Sequence, residues 1–278
     1  MELTDNQKAK WAQRLAMPNP DRSDVGSELP LTAAALDLEC ADLRQCVART
    51  VALSRALVTE RLIVKVPVEA HPDSLDHAPV DVASGARAEL ETVETPYGPA
   101  VPAFSSVEEL KAWDSMARPM TMPASRVAVM AAVTEGSGAV VINPGSRRQV
   151  VLPRSAVLAL AADDQWLPIV DDHDLCAQLL EVGRAAFPRV VGVKISPTQE
   201  SALPSNNALR FGEASVPDGP AWDGAVQVDV YVDLNAGPRD PYVARNDLAL
   251  ALAQIAANPR LKEGAAKVDI VPRPVLAV

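Results

Sequence analysis

The sequence predicts an α+β protein of two mixed domains, each a small sheet with helices packed on it. Apolar residues recur at helical spacing in several segments, beginning at Leu31, and alternate with polar residues in others, most clearly over 225–233. A polar break at Asp163-Asp164 separates two groups of such elements. We therefore predict three regions: an amino-terminal arm over 1–30 and two domains over 31–168 and 169–278.

The first thirty residues are predicted to form an arm outside the two domains. Thr4-Asp5-Asn6-Gln7 has the pattern of a capping box, which predicts a short helix over 8–17. The stretch 17–30 is rich in proline and acidic residues. This composition is typical of an exposed linker.

The first domain is predicted to combine helices with short strands. A helix is predicted over 31–58, because apolar residues recur on one face. Alternation predicts a strand over Arg61–Glu69, and Tyr97-Gly98-Pro99 predicts the turn of a hairpin. Ser106 begins a capping box, so a short helix follows. The remaining predicted elements are strands at 120–122, 138–143 and 149–152 and helices at 125–131 and 154–161.

The second domain is predicted to have the element order α-β-β-β-α-β. Its first helix is marked by Leu175, Leu179 and Val182 on one face, and a second helix begins at Asp240-Pro241. The predicted strands cover 191–195, 206–215, 225–233 and 268–271. About a hundred residues suffice for a core of their own.

The three cysteines, Cys40, Cys46 and Cys176, contain no C-x-x-C pair. Neither a disulfide framework nor a zinc site is therefore predicted. Cys40 and Cys46 fall in the predicted helix, where six residues place two side chains about 240° apart around the axis. A disulfide between them would require that helix to break, so all three are expected to be small apolar residues.

Composition argues against several classes of function. A net charge of −10 and a pI near 4.8 repel the phosphate backbone, so binding to nucleic acid is not expected. The longest apolar runs are seven residues, whereas a membrane-spanning helix needs roughly 18 to 20, so no membrane association is expected. The first residues show no basic segment followed by an apolar one, so we expect a cytoplasmic protein.

One cluster has the residue types of a metal site. His71, Asp73, Asp76 and His77 provide imidazole and carboxylate ligands suited to zinc or manganese. A Pro-bearing loop is a poor frame for such a site, so these are weak metal candidates and no cofactor is expected. A metal-dependent hydrolase built on them is retained as the enzyme hypothesis.

A second polar run, 171–174, places His173 between aspartates, an arrangement that can orient a catalytic base. Asp residues at this position are favoured as the cap of a following helix. The chain has no G-x-S-x-G motif. We therefore predict no catalytic residues.

Three residues are candidate contacts for a partner. Arg147 and Arg148 follow a Pro-Gly turn and have the charge to grip an anion or an acidic partner, although two solvated arginines at a hairpin tip are the simpler interpretation. Trp222 lies in a turn-rich loop, where an exposed indole is typical of partner contacts. The alternative is an indole folded over the adjacent sheet.

The most distinctive stretch in the middle of the chain is PAFSSVEELKAW at 102–113, followed by VVINPG at 140–145. On these residues, the middle of the chain resembles the SseB family amino-terminal domain. The resemblance covers about 31–168, and the carboxy-terminal half is similar to the second domain of many family members. It implies an α+β fold and carries over no catalytic residues. The type III secretion label often attached to this domain comes from an unrelated protein with the same name.

These observations lead to one main functional hypothesis and one alternative. The main hypothesis is a non-enzymatic adaptor or regulator that binds a protein partner, with self-association left open. The family is named for enhanced serine sensitivity, and ligand sites are frequent at domain junctions. The alternative is therefore a sensor that binds an amino acid or a related metabolite between its domains.

Overall fold

The computed structural model describes residues 9, 11–12, 23–66, 91–199, 220–233, 235 and 241–275. The chain divides into two compact units, one of residues 1–166 with 201–221 and the other of 167–200 with 222–278. Each unit combines helices with small mixed sheets, so the α+β prediction is confirmed. Three predictions fall wholly or mostly outside the described residues: the helix over 8–17, the loop that carries the histidines, and the strand over 206–215.

The first unit has two helices where a single one is predicted, α1 (Pro30–Leu36) and α2 (Leu43–Ala56). Asp42 caps α2, because its carboxylate accepts a hydrogen bond from the backbone N–H of Gln45 at 2.8 Å. The predicted continuous helix is therefore wrong between α1 and α2. A capped second helix starts there after the first has ended.

Two sheets form the centre of this unit. Their strands are β1 (Arg61–Val66), β2 (Val93–Thr95), β3 (Gly98–Ala103), β4 (Arg118–Pro123), β5 (Val140–Ile142) and β6 (Val150–Leu152). β1 pairs with β4 antiparallel, whereas the second sheet has the order β2-β3-β5-β6 with β3 and β5 parallel. A backbone bridge between Ile63 and Phe104 joins β1 to the end of β3. The β2–β3 pair confirms the predicted hairpin.

The four-stranded sheet is buried on both faces. Alternate residues of β3, β5 and β6 point into the main core, among them Val101, Val140 and Leu152. Their neighbours Ala100, Val141 and Val151 form a smaller cluster against Trp113. Among the described residues, this unit also contains α3 (Val107–Trp113), α4 (Ala124–Val133) and α5 (Arg154–Ala162).

The second unit is built on the three-stranded sheet β7-β8-β9. Its elements are α6 (His173–Ala186), β7 (Val190–Pro197), β8 (Ala225–Asp233), α7 (Pro241–Ala256), α8 (Pro259–Gly264) and β9 (Lys267–Val275). The alternating valines of β8 are buried, as predicted. Asp172 caps α6 by accepting a hydrogen bond from the N–H of Leu175 at 2.9 Å, which confirms the capping interpretation. Across the described parts of the chain, no helix is both long and apolar enough to cross a membrane.

Candidate functional site

A cavity of about 580 Å³ lies in the first unit, between the segment that precedes α1 and the first turns of α3. One wall consists of residues 25–28, and the opposite wall consists of 106–109 with Ala112. Arg148 reaches it from the loop between β5 and β6. The cavity is a candidate functional site because it gathers several charged side chains on one concave surface.

The guanidinium of Arg61 fixes the first wall. Its Nε and one Nη donate hydrogen bonds to the two carboxylate oxygens of Asp24 at 2.5 and 2.8 Å. It also donates to the backbone carbonyls of Ser27 at 2.5 Å and Ser105 at 3.1 Å. The Arg61 side chain is only 7% exposed, so it requires such partners. The predicted linker is therefore anchored to the first unit over 23–29, which supplies most of these partners, although Val25 and Ser27 are exposed as predicted.

Gly26 allows this segment to approach α3 closely. Its φ of +80° lies in the left-handed region, and a Cβ here would collide with the side chain of Val107. The Gly26 carbonyl accepts a hydrogen bond from the N–H of Val107 at 2.8 Å. Ser106 caps the same helix as predicted, accepting from the N–H of Glu109 at 3.1 Å. The two walls are thus joined through their backbones.

A buried polar pair connects β3 with the turn after β5. The amide of Asn143 donates to Oγ of Ser105 at 3.0 Å and accepts from the N–H of Ser105 at 2.9 Å. Asn143 has a φ of +50°, a conformation that asparagine tolerates better than most residues. The predicted turn at Asn143 therefore also secures the residue whose carbonyl Arg61 contacts.

Carboxylates outnumber cations around the cavity. The charged residues that line it are Glu28, Glu108, Glu109 and Arg148. Nη1 of Arg148 lies 2.8 and 2.9 Å from the two carboxylate oxygens of Glu28, and Nη2 lies 3.0 Å from Asp37. Burial lowers the pKa of Arg148, but hydrogen bonding to Glu28 and the nearby carboxylate charges outweigh burial and raise it. Because Glu28 and Asp37 already offset the positive charge of Arg148, the charges of Glu108 and Glu109 make the cavity negative overall.

The three predicted partner contacts differ in their exposure. Arg148 lines the cavity and is ion-paired, whereas Arg147 is exposed. The simpler interpretation of two solvated arginines is therefore wrong for Arg148. Trp222 is only 4% exposed, and its indole N–H donates to the carbonyl of Ala225 at 2.8 Å. Of the two interpretations of Trp222, the structure agrees with the folded-back indole and not with the exposed one, because Trp222 satisfies its polar group locally and buries its ring.

The weak metal candidates, His71, Asp73, Asp76 and His77, lie outside the described residues. Within the part of the chain that the structure describes, no three histidine, cysteine or acidic residues are grouped to hold a metal ion. The metal-site hypothesis thus stays a prediction.

Cys40 and Cys46 form a disulfide, with their Cα atoms 4.8 Å apart. The expectation that they are only small apolar residues is wrong. Cys40 lies in the turn before α2, so the helix break that a disulfide requires is present. Cys176 is a free thiol.

Sequence reasoning missed the residues that build the first wall, above all Asp24, Glu28 and Arg61. The available signal was weak: the basic residue Arg61 precedes three apolar residues at the start of a strand, and acidic residues precede α1. No local pattern indicates that these charges meet. Their pairing depends on how the chain folds back over α3.

We expect acid to weaken the attachment of this wall. Hydrogen bonding to Arg61 lowers the pKa of Asp24, although burial opposes it. Because the pKa of Asp24 is lower in the folded protein than in the unfolded chain, the ion pair contributes its full stabilisation at pH values above the unfolded pKa of about 3.9. This stabilisation is lost as the pH falls through the folded-state pKa. Asp24→Asn should therefore lower the free energy of unfolding at neutral pH. Below about pH 4, the variant should lose less stability on acidification than wild type does.

Urea unfolding across pH 2 to 7 measures this effect. Asp164→Asn, at an exposed carboxylate, is the matched control and should follow wild type throughout. Parallel pH profiles for wild type and Asp24→Asn would contradict the assigned role of the ion pair.

Residues 39–159 match the family model described as SseB protein N-terminal domain. This range contains the α3 wall and Arg148 but not residues 25–28 of the opposite wall. It ends before the second unit, so the resemblance of that unit to an SseB carboxy-terminal domain stays a prediction. Neither a curated protein nor a solved structure matches the chain. Over residues 39–159, the chain therefore contains an SseB protein N-terminal domain.

Proposed function

We propose that this chain is a non-enzymatic adaptor or regulator that binds a protein partner through the acidic cavity of its SseB domain. The observation that carries the proposal is the excess of carboxylates on the cavity walls. The partner presents a lysine or arginine side chain on an exposed segment. The net charge of −10 accelerates association with a basic partner by electrostatic steering.

The charges favour a basic side chain over a free amino acid. A free amino acid needs a cation for its carboxylate as well as an anion for its ammonium group. Arg148 is the one cation among the described residues that line the cavity, and Glu28 and Asp37 already engage it. Glu109 accepts a hydrogen bond from Oγ of Ser146 at 3.4 Å, so the exposed carboxylate of Glu108 is the main anion offered to an ammonium or guanidinium group.

Other polar groups at the cavity serve the structure, which supports binding rather than catalysis. The hydroxyl oxygen of Ser106 caps α3, and the carbonyls of Gly26 and Ser27 accept hydrogen bonds from Val107 and Arg61. The acids of α3, Glu108 and Glu109, lie in its first turn, where negative charge interacts favourably with the helix dipole. They therefore present a fixed negative surface to a partner.

Charge reversal at Glu108 tests this function. The probe is a fluorescein-labelled peptide of alternating lysine and glycine, titrated by anisotropy at low ionic strength. We expect Glu108→Lys to raise the dissociation constant by about tenfold or more, since a repulsive charge replaces an attractive one. Higher salt should weaken wild-type binding.

Glu181→Lys is the matched control, because it makes the same charge change at an exposed helical position of the second unit. It should raise the dissociation constant by less than about threefold. Equal losses in the two variants would mean that net charge alone attracts the peptide. That result, or no binding by wild type, would overturn the proposal.

A further inference from the structure

The disulfide between Cys40 and Cys46 lies in the turn that joins α1 to α2. Cys40 is half-buried, whereas Cys46, in the first turn of α2, is 2% exposed. The carbonyl oxygen of Pro220 lies 3.3 Å from both sulfurs. Two parts of the first unit that are distant in sequence therefore meet at this cysteine pair.

The disulfide excludes a continuous helix through this turn. Six residues of α-helix rise about 9 Å along the axis, whereas a disulfide requires Cα atoms about 4.4 to 6.8 Å apart. The observed Cα separation of 4.8 Å lies in the disulfide range and is too short for six residues of continuous helix. The oxidised pair therefore holds the chain in its turned conformation.

We propose that Cys40 and Cys46 form a site of reversible thiol–disulfide exchange with low-molecular-weight thiols. Exchange controls how firmly the α1–α2 turn is held. Cys40 is the sulfur that an external thiolate attacks, since it is the more exposed of the two. This proposal does not depend on the proposed binding function.

The exchange proceeds in two steps. The external thiolate bonds to Sγ of Cys40, the protein S–S bond breaks, and Cys46 leaves as a thiolate that takes a proton. A second external thiolate then attacks the mixed disulfide, and Cys40 leaves as a thiolate and is protonated. Two small thiols thus supply two electrons, and they depart as a small disulfide. Oxidation is the reverse reaction.

The turn has a direct contact with the candidate functional site. Asp37 ends α1, three residues before Cys40, and its carboxylate lies 3.0 Å from Nη2 of Arg148. Release of the turn removes a restraint on Asp37. The redox state of the pair is therefore transmitted to the charged side chain that lines the cavity.

The first test is a redox titration of the full chain carrying Cys176→Ser. The protein is equilibrated with mixtures of reduced and oxidised glutathione, blocked with N-ethylmaleimide and weighed by mass spectrometry. We expect forms with no blocked thiol and two blocked thiols to interconvert at one midpoint. A pair that stays oxidised in excess reduced glutathione, or reduced in excess oxidised glutathione, would overturn the proposal. Wild type should show the same midpoint, with the thiol of Cys176 blocked in addition in both forms.

The second test is hydrogen exchange in the two redox states. We expect reduction to accelerate exchange of the amides of residues 38–46 by about tenfold or more, because the closed loop restrains them. Amides of α5 should not change. Cys40→Ala should match the reduced protein. Equal exchange in the oxidised and reduced states would overturn the proposed control of the turn.

Discussion

Replacement of Arg61 by leucine is expected to lower the free energy of unfolding by about 3 to 5 kcal/mol. The substitution removes the donors to Asp24, Ser27 and Ser105. It leaves a carboxylate that is only 18% exposed without its guanidinium. It also leaves two carbonyls without their hydrogen bonds from Arg61, and each such loss has its own cost.

Urea unfolding of wild type and variant measures this difference. Arg147→Leu is the matched control, because it removes the same charge from an exposed position and should change stability by no more than about 0.5 kcal/mol. Arg61→Lys should recover only part of the loss, since an ammonium group cannot reproduce the planar fork of a guanidinium. If Arg61→Leu proved as stable as the Arg147 variant, the segment over 23–29 would have to be held by other contacts.

Phe104→Ala is expected to be comparably damaging, at about 3 to 5 kcal/mol. The ring is fully buried among Ile63, Leu110 and Ala117, and its centroid lies 5.3 Å from that of Trp113. Alanine would leave a cavity in this cluster. The cluster joins β1, the end of β3 and α3, so the position of α3 would loosen with it.

Calorimetric or urea unfolding would establish this cost. Phe104→Leu retains most of the apolar volume and should lose much less, about 1 to 2 kcal/mol. Val25→Ala, at an 83% exposed side chain, should be close to neutral. Equal stability of the alanine and leucine variants would show that the core closes over the missing ring.

Local patterns predicted most of the secondary structure. The hairpin of β2 and β3 follows from the Tyr97-Gly98-Pro99 turn, and the start of α3 follows from the capping residue Ser106. Both signals lie within a few residues of the structure that they specify. The alternating valines of β8 are also a local signal, because a strand that is buried on one face has an apolar residue at every second position.

Features that depend on distant residues, or on turns whose conformation the composition does not specify, were not predictable in this way. Arg61 and Asp24 are far apart in sequence, and nothing near either residue indicates the other. The indole of Trp222 finds its carbonyl partner within a turn whose conformation the proline and glycine content does not specify. Helical periodicity likewise continues across the turn before Asp42, so the break and the Cys40–Cys46 pair were missed.

The parallel pairing of β3 with β5 determines the order in which the first unit acquires its structure. The hairpins β2–β3 and β5–β6 close through short connections, whereas Val101 meets Val140 only across the intervening α3, β4 and α4. Closing a long connection costs more chain entropy before its contacts are made. We therefore expect the two hairpins to form early and their union into one sheet to be the slow step of folding.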